Sequence, residues 1–323
     1  MSFQVPLLLS LPLLSFTIQV KNLVTFGDSY TDITTMGDGG TMWPVYAAGY
    51  ANLQLFPFAR AGATSTHHAT TQSRRRPRRI LLAPFRPFPS IFESQLPLYF
   101  AEKHNGSIVL DPEETLYTQW IGTNDIGVYS LVTGSNNASI VDVVGCMLDW
   151  VRVLYKDGAR IFLLQNMVPL NEAILYAPNS YPNHYFNGPR NTTEWSVFIR
   201  ELVLSGNALS RAMLRAVVPE VPGAHIGIFD LHGLFQDIHD NPAEYLNGTA
   251  PFNVTGAVLS CIAPEEGQAG SLQCTTVFGT DRDSYLWWVY DELHPSEQAD
   301  RIVAREIAKV ARGQESKWAT WIS

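Results

Sequence analysis

Charge is scarce in this chain, and cysteine scarcer. Asp, Glu, Lys and Arg make up 16% of the 323 residues, and the formal charge is −8. With no basic excess, the bulk field offers nucleic acid or an anionic membrane nothing to bind. No apolar run is long enough to cross a bilayer. There is no internal repeat and no linker-like stretch that would divide the chain into two domains. No group of His, Cys, Asp and Glu has metal-ligand spacing, since His67 and His68 simply adjoin each other; neither a metal nor a cofactor is expected. Three cysteines cannot make a disulfide scaffold. Cys261 and Cys274 do flank a loop with Pro264, Gly267 and Gly270, which a disulfide could close in an oxidising compartment. Cys146 is left over in a helical pattern, where a buried free thiol is the plain reading.

What is present is apolar. Hydrophobic residues make up 46% of the chain, enough for a well-buried core. The first apolar stretch, Val5 to Phe16, is broken by Pro6 and Pro12. It is too short to span a membrane and reads as a secretory signal over residues 1–20, or else as a hydrophobic first strand. No Lys or Arg precedes it and no small-x-small cleavage site follows. Five Asn-x-Ser/Thr triplets, at Asn105, Asn137, Asn191, Asn247 and Asn253, suit a glycosylated, secreted protein.

Further on, strand-like runs alternate with helical patterns. Strands are expected over 22–27, 54–59, 115–121, 160–166 and 225–230, and helices over 139–156, 193–217 and 296–311. This alternation predicts an α/β fold, a mostly parallel sheet with helices on both faces and the strand C-termini along one edge. One stretch stands apart. Residues 66–89 hold Arg74, Arg75, Arg76, Arg78 and Arg79 among prolines and have no usable periodicity. They read as a surface insertion or as translated non-coding sequence. A basic nucleic-acid-binding patch is the rival reading.

The chemistry concentrates at strand ends. The run Leu23-Val24-Thr25-Phe26 stops at Gly27-Asp28-Ser29-Tyr30 and so presents a serine at the sheet edge where open α/β folds keep their crevices. A serine is a weak nucleophile without a base and oxyanion donors. Asp291-Glu292-Leu293-His294 is the one Asp-x-x-His in the chain, and it directly precedes the C-terminal helix. A carboxylate at this spacing can reach one ring nitrogen and leave the other as a base. Gly122-Thr123-Asn124 ends the third expected strand, where the Asn amide could donate to an oxyanion. Gly62 follows the second strand and could offer a backbone N–H. Each block is also readable as an ordinary turn.

Together, Gly27-Asp28-Ser29, Gly62, Gly122-x-Asn124 and Asp291-x-x-His294 resemble the four blocks of the SGNH hydrolases, the GDSL esterase/lipase family. The resemblance runs from about Asn22 to Arg312. The phrases Phe26 to Asp32, Trp120 to Asp125 and Asp291 to Ser296 make the chain similar to fungal secreted carbohydrate acetylesterases (family 16) in particular. The resemblance implies a three-layer α/β/α sandwich with a five-stranded sheet in flavodoxin-like order, a single hydrolase domain over 21–315 that carries the 66–89 insertion. It implies Ser29 as nucleophile, His294 as base and acid, and Asp291 as its orienting carboxylate. The Ser29 N–H, the Gly62 N–H and the Asn124 side chain would form the oxyanion hole. The family's leucine is Tyr30 here, and the insertion falls just after Gly62, where it could disturb one donor. The expected substrate is a small-molecule or oligosaccharide ester, acetyl groups on plant cell-wall saccharides first. A short-chain lipid acylhydrolase and a non-catalytic glycan-binding relative are the alternatives. Trp43, Tyr46, Trp287, Trp288 and Tyr290 lie near the motifs, as core or as sugar-stacking faces. A monomer is expected, with no nucleic acid and no stable membrane association.

Overall fold

The computed structural model describes residues 20–34, 40–65, 89–135, 137–287 and 292–323. In chain order the elements are β1 (Asn22–Gly27), α1 (Trp43–Ala51), β2 (Gln54–Pro57), α2 (Leu96–His104), β3 (Thr115–Trp120) and the single-turn α3 (Thr123–Ile126). There follow α4 (Ile140–Lys156), β4 (Ile161–Gln165), α5 (Thr192–Val217), β5 (His225–Phe229), α6 (Leu231–Asp240) and α7 (Pro242–Tyr245). The last part holds β6 (Asn253–Ala257), β7 (Leu259–Ile262), β8 (Gln273–Thr276), β9 (Tyr285–Trp287), α8 (Glu297–Ala311) and β10 (Ala319–Trp321).

The main sheet has the order β10-β5-β4-β3-β1-β2. All its pairings are parallel except that of β10 with β5. The expected order is therefore present, but with six strands rather than five. The extra strand is a three-residue edge, too short to leave a pattern of alternation, and it takes the sheet to Trp321. β1 and β3 are buried almost throughout, as expected of central parallel strands.

Two cores lie on opposite faces. Leu23, Leu116, Ile161, Leu163 and Phe229 point to one, with Trp43 and Ala47 of α1, Phe235 of α6, and Ile302, Val303 and Ile307 of α8. Val24, Phe26, Tyr117, Phe162 and Ile226 point to the other, with Tyr99 of α2 and Val143, Trp150 and Val151 of α4. Neighbouring strand residues alternate between the two because successive side chains point to opposite sides. Each large apolar side chain buried this way contributes about 1.5–3 kcal/mol.

Local chemistry sets the helix starts. Ser139 and Asp142 form a reciprocal capping box on α4, Asn191 caps α5, and Ser296 caps α8 directly after Pro295. Outside the main sheet, β7 and β8 make an antiparallel hairpin in which Cys261 and Cys274 stand directly opposite and are disulfide-bonded. Cys146 is free and only half-buried on α4, with burial raising its thiol to about 11. Among the described residues no helix is long and apolar enough to cross a membrane.

Candidate active site

The parallel sheet brings the C-terminal ends of β1, β2 and β3 side by side. Gly27 ends β1 with φ +151°, and a Cβ there would sit 2.3 Å from the Trp120 carbonyl of β3. Only glycine lets the two backbones approach this closely. The chain then turns sharply, with the Thr31 and Asp32 N–H groups donating to the Asp28 carbonyl. Ser29 stands at the crest.

The Ser29 hydroxyl meets the ring of His294, with Oγ···Nε2 at 2.7 Å across 265 positions of sequence. His294 precedes Pro295 and the start of α8, and two tyrosines hold it. The Tyr30 ring lies edge-on to it, centroids 5.2 Å apart, and the Tyr30 hydroxyl donates to the Leu293 carbonyl at 2.9 Å. On the other side the Tyr185 hydroxyl stands 3.1 Å from Nδ1. Asp291, expected at that nitrogen, lies outside the described residues, as do Trp288 and Tyr290.

Gly62 occupies a tight turn after β2 with φ +76°. Three contacts hold that turn. Arg60 N–H donates to the Gly27 carbonyl at 3.1 Å, and Ala61 N–H donates to the Asp32 carboxylate at 2.7 Å. From α3, just past the end of β3, the Asn124 Nδ2 donates to the Ala63 carbonyl at 2.9 Å. Asp125, fully buried, then accepts from both the N–H and the hydroxyl of Ser65. The loop is thus clamped on both sides before the chain enters 66–88. Among the described residues, neither the Ser29 N–H nor the Gly62 N–H has an acceptor. Asn124 has a second amide hydrogen besides the one that holds Ala63. At Gly122, φ is +123° and a Cβ would meet Met167 Sδ at 2.8 Å, so the turn into Asn124 also demands glycine.

The electrostatics are unusual at Asp28. Its carboxyl is buried; Oδ1 accepts the Tyr30 N–H at 3.0 Å, and Oδ2 has no partner among the described residues. Burial pushes this carboxyl up to about 7, against the lowering effects of the Tyr30 N–H and of His294. Glu292 is buried behind the histidine, with Oε1 accepting from Cys261 N–H at 2.6 Å and from the Tyr181 hydroxyl at 3.0 Å.

Several residues of the site escape sequence reasoning. Tyr185 sits on an irregular loop with no motif, and Gln95 at a helix start far from any catalytic block; both are brought in by tertiary contacts. Asp32 lies inside the first block, and only its bond to Ala61 gives it a role. Trp43 and Trp287 are fully buried core residues, so neither is a stacking face. Tyr46 is partly buried and donates to Glu297 at 2.6 Å. Of the sequon asparagines, Asn105, Asn137, Asn191 and Asn247 are exposed. Asn253 is half-buried, and its side chain accepts from the N–H groups of Thr255 and Gly256. His67 and His68 lie outside the described residues.

The GDSL-like Lipase/Acylhydrolase family model matches residues 23–307 of this chain. A curated acetylesterase of Hypocrea jecorina is 28% identical over 346 residues, covering 93% of this chain and 91% of the relative. An acetylesterase of Thermothelomyces thermophilus is 23% identical over 334 residues, covering 94% and 92%. Among solved structures, a lipolytic protein of the G-D-S-L family from Veillonella parvula aligns with a TM-score of 0.41 at 14% identity, covering 90% of this chain and 96% of that one.

Proposed function

The chain belongs to the GDSL-like lipase/acylhydrolase family of carboxylic ester hydrolases, and on that premise we propose that it is a secreted serine esterase that removes acetyl groups from saccharides, those of plant cell walls in particular. The contact that carries this reading is the 2.7 Å approach of Ser29 Oγ to His294 Nε2. It is what a nucleophile and its general base require.

In the proposed reaction Ser29 Oγ attacks the ester carbonyl while its proton passes to His294 Nε2. The oxyanion that forms is held by the Ser29 and Gly62 N–H groups, which have no other acceptor among the described residues, and by the Asn124 amide. The tetrahedral intermediate collapses, His294 returns the proton to the departing alcohol, and an acetyl-enzyme remains. Water, deprotonated by the same ring, then releases acetate. Asp291 orients the imidazole and stabilises its charged form. The acetyl preference is supported by the two fungal relatives, both acetylesterases over nearly their full length. Secretion is supported by the apolar stretch at 5–16 and by four exposed sequon asparagines, Asn105, Asn137, Asn191 and Asn247. A signal peptide over 1–20 and one hydrolase domain over 21–315 complete the proposal, with a monomer as the working unit.

The test is hydrolysis of p-nitrophenyl acetate and of acetylated xylo-oligosaccharides against longer-chain esters, with Ser29→Ala as control. The reading requires acetate release by the wild type and none by the variant. Preference for long acyl chains would favour a lipid acylhydrolase, and saccharide binding without turnover would favour a glycan-binding relative.

A further inference from the structure

For Nε2 of His294 to take the Ser29 proton, the neutral ring must carry its own hydrogen on Nδ1. The group at Nδ1 therefore chooses the tautomer. The Tyr185 hydroxyl is 3.1 Å from that nitrogen. We infer that Tyr185 is a positioning residue whose phenol oxygen accepts the Nδ1–H of His294, fixes the productive tautomer and supports the imidazolium formed during acyl transfer. The inference rests on the esterase reading. The role is additional to that proposed for Asp291, because one N–H can be shared between two acceptors.

The placement of Tyr185 is built rather than incidental. Its N–H donates to Asn183 Oδ1 at 3.1 Å, and its carbonyl accepts the Tyr129 hydroxyl at 3.2 Å. Tyr129 itself has φ +63°, a left-handed conformation that costs a bulky residue of order 1–3 kcal/mol and that clusters at functional sites. The neighbouring backbone is stitched to the disulfide hairpin. Ala263 N–H donates to Pro182 at 2.9 Å, Asn183 pairs with Ile262, and Glu266 N–H donates to Asn187 at 3.1 Å. Tyr185 thus reaches the histidine from a segment anchored on β7 and braced by the loop that follows Asn124.

Other groups face the ring or its loop. Asp28 and Ser29 approach from the β1 turn, as does the Tyr30 ring. Behind the loop, Glu292 is engaged by Cys261, Tyr181 and, at 3.4 Å, His184 Nδ1. Removing the single phenol oxygen of Tyr185 abolishes its contact with Nδ1 and leaves these other groups in place.

The experiment is the pH profile of kcat/KM on p-nitrophenyl acetate for the wild type, Tyr185→Phe, Tyr30→Phe and Ser29→Ala. Loss of an acceptor from Nδ1–H disfavours the imidazolium, so in Tyr185→Phe the acidic limb should move to lower pH by about 0.5 or more. Its kcat should fall about tenfold while KM stays within about twofold. Tyr30→Phe breaks the bond to Leu293 without touching Nδ1 and should leave the limb in place. An unmoved limb in Tyr185→Phe overturns the inference, whether or not kcat falls. If Ser29→Ala is inactive in that case, the esterase reading still stands; activity in Ser29→Ala sinks that reading instead. Should Tyr185→Phe not fold, 3-fluorotyrosine at position 185 keeps the shape and weakens the acceptor. The limb must again move down, and an unmoved one overturns the inference.

Discussion

Gln95 grips Gly27 from both sides. Its Oε1 accepts the Gly27 N–H at 3.0 Å and its Nε2 donates to the Gly27 carbonyl at 2.7 Å, with both residues buried and 68 positions apart. The turn that lifts Ser29 to the sheet edge is thereby fixed by a side chain from the start of α2. In Gln95→Leu the buried Gly27 N–H loses its acceptor, while the carbonyl keeps its bond from Arg60. The cost should be about 2–4 kcal/mol in urea unfolding, with kcat falling alongside as the turn loosens. Wild-type stability in this variant would show the bidentate pair to be unimportant.

Asn124 holds Ala63, and in the proposed reaction it also offers an amide to the oxyanion. Asn124→Ala should stay folded, lose about 1 kcal/mol from the broken bond to Ala63, and lose on the order of 10²–10³ in kcat. Ser65→Ala is the control. It removes the 2.8 Å hydroxyl bond to Asp125 from the same loop and leaves the amide alone. If the two variants lose activity equally, Asn124 acts by bracing the loop and not as a donor.

Asp28 makes stability depend on pH in a stated direction. Its carboxyl titrates near 3.8 in the unfolded chain and at about 7 when buried. The folded state therefore holds a proton that the unfolded state releases between those values, and stability falls as pH rises through that window. The full effect is about 4 kcal/mol above pH 7. Asp28→Asn keeps an acceptor for the Tyr30 N–H and removes the titration. Urea unfolding at pH 4.5 and 7.5 should show the variant gaining on the wild type at the higher pH. Parallel curves would place the ionisation elsewhere.

The ends of the arginine-rich segment meet. Thr64 N–H donates to the Pro89 carbonyl at 3.1 Å and Ile91 N–H donates to the Thr64 carbonyl at 3.0 Å, while Asp125 holds Ser65. A chain that leaves and returns at one point can be shortened between those points at small entropic cost. Replacing 66–88 by a short Gly/Ser linker should leave the melting temperature within a few degrees and the esterase activity within about threefold. Loss of folding would make the segment part of the domain.

Much of this molecule was legible in the residue order. The main parallel strands and the three long helices lie within a residue or two of their expected bounds, because buried parallel strands leave short continuous apolar runs and amphipathic helices leave a 3.6-residue period. Ser29 and His294 stood out because each follows a local pattern, a strand-end turn and a capped helix start. β10 was illegible because three edge residues carry no period. The half-exposure of Cys146 and the burial of Trp43 and Trp287 depend on which neighbours cover them.

Local pattern by itself determined most of the elements and marked Ser29 and His294 as candidates for the chemistry, since both signals depend on neighbours within a few positions. Tertiary structure alone decided which of those side chains meet and who holds them. The Ser29–His294 contact, the Gln95 grip on Gly27, the clamp of Asp32, Asn124 and Asp125 on the Gly62 loop, and the approach of Tyr185 to Nδ1 all join distant segments. Such contacts arise only when the sheet order and helix packing are complete, because hydrogen bonds of about 3 Å need a precision that composition and spacing do not encode.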